Sequence, residues 1–182
     1  MVSEQKDTWQ NRYIQYFYHS NPDWEGGTTE FWEMITTHAE GAKKVLEVGC
    51  GPGNATTEFL KETFGALDGL DIDPDAGTNP WISQFHLYDG MNWPMEDNSY
   101  DLIVADSVME HVEAPIRMFH EVERVLKEGG VFLFRTPNLW HYMAMTAHLT
   151  PHWFHLLVAK RVRNLGDEIH DPYPTFYRAN TE

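Results

Sequence analysis

The sequence predicts an α/β protein built on a mainly parallel, doubly wound sheet with helices on both faces. Three observations predict it. Apolar runs of strand length recur along the chain, helical periodicity fills the gaps between them, and a glycine-rich bend joins the first run to a helix. Strands that alternate with helices call for parallel pairing through right-handed crossovers.

The elements follow in order. Residues 9–24 carry Trp9, Tyr13, Tyr16, Phe17, Tyr18 and Trp24, read as a helix packed on the core, with Trp9, Tyr13 or Tyr18 at a ligand's edge as the alternative. A helix is expected from Thr28, as cap, to about His38, lined by Phe31, Met34, Ile35 and His38. Residues 45–48 read as a buried strand, and Asn54 caps a helix whose apolar face holds Ala55, Phe59 and Leu60. Residues 67–72 give a second strand, and 81–87 contain a weak third. Residues 100–106 give a clear fourth strand. Residues 115–127 form an amphipathic helix with Ile116, Phe119, Val122 and Leu126 inward and Glu121, Glu123, Arg124 and Lys127 outward. Gly129-Gly130 ends it before a fifth strand at 131–134. Residues 139–163 read as two helices broken at Pro151, and 164–182 as loop. The chain divides, within one domain, into an N-terminal helical and aromatic cap (1–42), a binding core (43–138) and a C-terminal helical segment and tail (139–182).

Composition narrows the function. The chain has 182 residues, with 28 acidic and 13 basic side chains and a net charge of −15, which argues against nucleic acid as a partner. No apolar run reaches the ~18 residues that a membrane helix requires, so no membrane partner is expected. Cys50 is the single cysteine, and Met1 to Asp7 is polar, unlike a signal peptide. Both fit a reducing, cytoplasmic setting.

The chemistry centres on Glu47-x-Gly49-x-Gly51-x-Gly53. Glycines admit positive φ and let a ligand approach the backbone, while the helix N-terminus beyond offers free N–H groups. A dinucleotide fingerprint needs its third glycine one residue later and a pyrophosphate on the helix. Here a carboxylate precedes the bend, which suits a ligand bearing an ammonium or sulfonium group. Asp71 ends the second strand, where a carboxylate can accept both hydroxyls of a ribose. Asp89 ends the third, positioned for an exocyclic amine, and the Gly90 or Met91 backbone can meet a ring edge. His148 and His152 have metal-ligand spacing, but Pro151 lies between them and no carboxylate accompanies them, so no metal is expected.

These motifs resemble the class I S-adenosylmethionine-dependent methyltransferases of the type 11 group. The resemblance rests on residues 45–53, 69–73, 89–90, 99–104, 109–112, 121–130 and 135–138, and covers about residues 43–138. It implies a Rossmann-like sheet of order 3-2-1-4-5, and no sixth or seventh strand is expected from the residues here. It also implies S-adenosylmethionine as cofactor, S-adenosylhomocysteine as product and a small-molecule acceptor. Gly49, Gly51 and Gly53, with Cys50 and Asn54, would line the methionine and ribose portion, and Glu47 would hold the amino group. Asp71 would take the ribose, Ile72 would lie against adenine, and Asp89, Gly90 and Met91 would sit at its edge. Asp106 would approach the methionine from the other side.

His111 is the candidate base for an acceptor that must lose a proton, with a structural histidine as the alternative. Tyr13, Tyr18, His141 and Tyr142 are candidates for shaping the acceptor site. Two other classes compete. A non-catalytic cofactor-binding module is motivated by the missing strands, and a nicotinamide-dependent oxidoreductase fails on glycine spacing. The exposed fifth-strand edge, or the helices after residue 139, suggest a homodimer; a monomeric mass in sedimentation counts against it.

Overall fold

The computed structural model describes residues 26–137 and 175–179. Strands β1 (Val45–Val48), β2 (Leu67–Asp71), β3 (Gln84–Leu87), β4 (Tyr100–Asp106) and β5 (Leu126–Arg135) form one sheet of order β3-β2-β1-β4-β5. Every pairing is parallel. Helices α1 (Gly27–His38), α2 (Ala55–Phe64) and α3 (Pro115–Val125) cover the two faces. Among the described residues, the outer edge of β5 pairs with no further strand.

Side chains alternate along each strand and build two cores. Val45, Leu67, Leu102 and Val104 point to one face, where Phe31 and Ile35 of α1 and Leu60 of α2 close over them. Leu46, Val48, Leu70, Ile103 and Ala105 point to the other, under Met118, Val122 and Val125 of α3. β1 is buried along its whole length because it has a strand on each side and helices on both faces.

Several expectations need correction. α1 is capped by Gly26 rather than Thr28, whose hydroxyl instead accepts a bond from Arg135 (2.9 Å). Met34 and His38 are exposed, leaving Phe31 and Ile35 as the buried stripe. On α2, Ala55 is exposed and Phe59 only half-buried, stacked on Trp32 at 4.7 Å; Thr56, Thr57 and Leu60 face inward.

α3 ends at Val125, and β5 begins immediately at Leu126. Its buried stripe is Met118, Val122 and Val125, while Ile116 is 72% exposed. Phe119 leans outward onto Phe132 and Phe134. The helix offers two stripes that share Val122, and the early start of β5 selects the one ending at Val125. Glu121 and Arg124 are not simply solvated. Arg124 donates to Glu121, Asp97 and the carbonyls of Trp93 and Met95, and so clamps the 93–97 loop.

β5 starts five residues earlier than expected. Leu126 pairs with Tyr100 and Val131 with Leu102, so residues 127–130 bulge out of register. The aromatic residues 9–24, the helices expected over 139–163, and with them His141, Tyr142, His148 and His152, lie outside the described residues.

Candidate functional site

The strand order reverses between β1 and β4, so the crevice above their carboxyl ends is where such a sheet binds ligands. The glycine bend 49–53 rises there from β1. Its three glycines share left-handed φ but differ in surroundings. A Cβ on Gly49 would meet Val108 Cγ2 at 2.5 Å, and one on Gly53 would meet Asn79 Oδ1 at 2.9 Å. One on Gly51 would meet nothing within 4 Å among the described residues. Gly51 is therefore the open glycine of the bend among the described residues, while Gly49 and Gly53 let protein neighbours close in.

Asn79 holds the bend from outside. Its amide donates to the carbonyls of Cys50 and Gly51 (3.2 Å each), and its Oδ1 accepts from Trp81 N–H (3.0 Å). No local pattern marks this role, since Asn79 sits in a polar stretch that reads only as loop. Asn54 caps α2 as expected. Its Oδ1 accepts from Thr56 N–H (2.7 Å) and Thr57 N–H (3.2 Å), and Thr57 Oγ1 accepts in turn from Asn54 N–H.

Three carboxyl groups converge at the strand ends. Asp71, buried, accepts from Gly51 N–H (2.8 Å) and Asp73 N–H (2.9 Å), which ties the β2 tip to the bend. Asp106 is paired with Arg135, whose Nε and Nη2 donate to its two oxygens at 2.8 and 2.7 Å. Thr56 Oγ1 (2.7 Å) and Ser107 Oγ (3.2 Å) also donate to it. Glu47 is only 1% exposed. Its Oε1 accepts from Thr57 Oγ1 (3.0 Å), and its Oε2 has no partner among the described residues. Burial pushes the Glu47 carboxyl up to about 8; the Thr57 bond opposes this, and the neighbouring Asp106 and Asp71 add to it. Burial likewise holds the Cys50 thiol up to about 12, so it is not a nucleophile at neutral pH.

Asp89 is exposed and holds its own turn: Oδ1 accepts from Met91 N–H and Asn92 N–H, and Oδ2 from the Asn92 amide. Those bonds keep its carboxyl below the usual range. Ile72 is 48% exposed, and its Cγ2 lies 4.0 Å from the Cβ position of Gly90, while Met91 is also exposed. Large apolar side chains are thus open to solvent at the tips of β2 and β3.

On the other side, Ser107 takes φ +60 and turns the chain from β4 into a short 3-10 turn, Met109–His111. His111 is half-buried there, and its backbone N–H donates to the Val108 carbonyl (2.8 Å). The preceding Glu110 is buried; its carboxylate accepts from Thr136 Oγ1 (3.1 Å), and its carbonyl accepts from the N–H groups of Phe176 (2.7 Å) and Tyr177 (3.1 Å). Glu110, Arg135 and Thr57 join Asn79 as site-shaping residues that motif reading did not single out. Arg135 and Glu110 stand inside runs quoted for the family resemblance, but nothing local in the sequence pairs Arg135 with Asp106.

The structure thus brings Glu47, Gly51, Asp71 and Asp106 to one crevice, sets Ile72, Asp89, Gly90 and Met91 along its β2–β3 side, and sets His111 just beyond β4.

A methyltransferase domain model matches residues 19–168. An uncharacterized methyltransferase of Mycolicibacterium vanbaalenii is 28% identical over 134 residues, 66% of this chain and 51% of that protein. The sterol 24-C-methyltransferase ERG6B of Gibberella zeae is 33% identical over 113 residues, 55% of this chain and 30% of that protein. The chain therefore spans about half the length of the first relative and under a third of the second. Among solved structures, YcgJ of Bacillus subtilis superposes with a TM-score of 0.55 at 19% identity, covering 72% of this chain and 59% of that one. The S-adenosylmethionine dependent methyltransferase of Mesorhizobium loti does so with a TM-score of 0.52 at 20% identity, over 62% and 55%. Both are likenesses of fold. With the sheet order, the glycine bend and a domain match over most of its length, the chain belongs to the methyltransferase domain family, a membership that implies S-adenosylmethionine as cofactor.

Proposed function

We propose that the protein transfers a methyl group from S-adenosylmethionine to a small acceptor. The observation that carries this reading is Glu47: a buried carboxyl with an oxygen unpartnered among the described residues, close to Asp71, which in turn holds the N–H of the open glycine Gly51. A buried polar atom without a partner is costly unless a ligand supplies one. The residues present fit the cofactor. Glu47 would receive its amino group, Asp71 the ribose hydroxyls, and Ile72, with Gly90 and Met91 beside it, the adenine. Asp71 keeps acceptor capacity after its two backbone bonds, and those bonds fix its orientation.

When bound, the cofactor supplies an already electrophilic sulfonium methyl. The chain's own task is then to hold, orient and exclude water. The bend, fixed by Asn79, and Asp71 fix the nucleoside end. Asp106 is a positioning residue rather than a direct ligand, because Arg135 and Thr56 engage its oxygens. His111, beyond β4, would take the proton from an acceptor that carries one. The net charge of −15 favours a neutral or cationic small acceptor over nucleic acid. Similarity to a sterol methyltransferase, over less than a third of that protein, leaves the acceptor unassigned.

Calorimetry with S-adenosylhomocysteine tests the site. Wild type should bind, Asp71→Ala should lose at least about tenfold in affinity (~1.4 kcal/mol), and His111→Ala should bind unchanged yet turn over more slowly. Absence of heat with wild type overturns the reading. Binding without turnover on any acceptor favours the cofactor-binding module instead.

A further inference from the structure

We infer that Glu47 makes binding of an amino-bearing nucleoside a proton-releasing event, so that the pocket selects for the ligand's ammonium group and does so more strongly as pH rises. The inference deepens the cofactor reading above and rests on it.

The geometry separates Glu47 from its two acidic neighbours. Asp71, from β2, is answered by two backbone N–H groups, and Asp106, from β4, by the Arg135 guanidinium of β5 and two hydroxyls. Among the described residues, Glu47 has one hydroxyl, from Thr57 of α2, on one oxygen and nothing on the other. The helix start above it offers little more, because Asn54 already takes the Thr56 and Thr57 N–H groups. The remaining titratable neighbour, the Cys50 thiol of the bend, is neutral. Arg135, the cation of this network, is committed to Asp106. A carboxyl so placed keeps its proton until a cation arrives, consistent with its value of about 8.

The step balances simply. The Glu47 O–H bond breaks, its proton goes to solvent, and the carboxylate accepts an N–H from the ligand's ammonium. Below a value of about 8, affinity for an ammonium-bearing ligand should rise nearly tenfold per pH unit, or roughly fifty-fold from pH 6 to 8, and then level off.

The test is titration calorimetry of the full chain near pH 7, in buffers of different ionisation enthalpy. S-adenosylhomocysteine carries the ammonium, and methylthioadenosine is a related thioether nucleoside without it. Close to one proton should be released with the first and none with the second. Glu47→Gln should still bind S-adenosylhomocysteine, more weakly at pH 8, with no proton release and a flat pH profile. Buffer-independent heat with wild type, or release that survives in Glu47→Gln, overturns the inference and leaves the cofactor reading intact. No heat with either nucleoside overturns both.

A readout without ligand runs in parallel. A carboxyl raised from its ordinary 4.5 to about 8 on folding contributes stability at low pH that is lost as pH climbs through that window. Wild type should therefore lose thermal stability relative to Glu47→Gln between pH 5 and 8; parallel curves overturn the inference. If Glu47→Gln does not fold, the contrast between the two nucleosides on wild type decides.

Discussion

Gly49 and Gly51 share a left-handed backbone, at φ +68 and +47, yet substituting them should have opposite consequences. An alanine methyl at Gly49 would run into Val108 at 2.5 Å, in a bend that has no slack. Overpacking with backbone strain should cost about 2–3 kcal/mol. At Gly51 the methyl meets no described residue, so only the strain of about 1 kcal/mol remains. Gly51→Ala should stay folded and bind S-adenosylhomocysteine at least about tenfold more weakly, because the methyl stands where the ligand must approach. Thermal unfolding and calorimetry on both variants check this; equal destabilisation would remove the distinction. The alternate glycines themselves were legible in the sequence, as were Asn54 as cap and Asp71 at a strand end. Which glycine is left open was not, because Val108 and Asn79, which fill the space at the other two, are far away along the chain.

At the scale of elements, the strand–bend–helix unit and β4 read cleanly because each has one dominant pattern. α3 did not, because its sequence carries two apolar stripes, and the choice between them was made by where β5 begins. The pairing that joins β4, β5, α1 and α2 was invisible in one dimension. Arg135 donates to Asp106 and to Thr28 and lies over the Phe31 ring at 5.3 Å, while Trp32 Nε1 donates to Thr56 Oγ1 at 3.2 Å. Removing the guanidinium leaves Asp106, 7% exposed, without its countercharge. A fully buried broken pair costs about 3–5 kcal/mol; Arg135 itself is about one-third exposed, so Arg135→Ala should cost about 2 kcal/mol. Amide exchange should quicken most at the start of α1, where the Thr28 bond is lost, and denaturant unfolding with hydrogen exchange reads both effects. A uniform change across the sheet would place the bond elsewhere in the energetics.

For the whole molecule, parallel pairing follows from alternating elements and the strand order is what the family resemblance implies, whereas the charge arrangement was legible only as a sum. A net charge of −15 creates a field that draws cations toward the crevice and fades with salt. S-adenosylmethionine carries one more positive charge than S-adenosylhomocysteine. Raising salt from about 0.05 to about 0.5 M should therefore weaken the first a few-fold and leave the second nearly unchanged; parallel titrations that shift together would assign the effect to the site rather than the field. The bond from Arg135 to Thr28 spans 107 positions and carries a last implication. During synthesis α1 emerges early, but its latch is made only when the end of β5 leaves the ribosome. Until then Phe31 and Ile35 have no finished surface to dock on, so the nascent chain must carry a sticky helix through most of its elongation, and chaperones should find their foothold there.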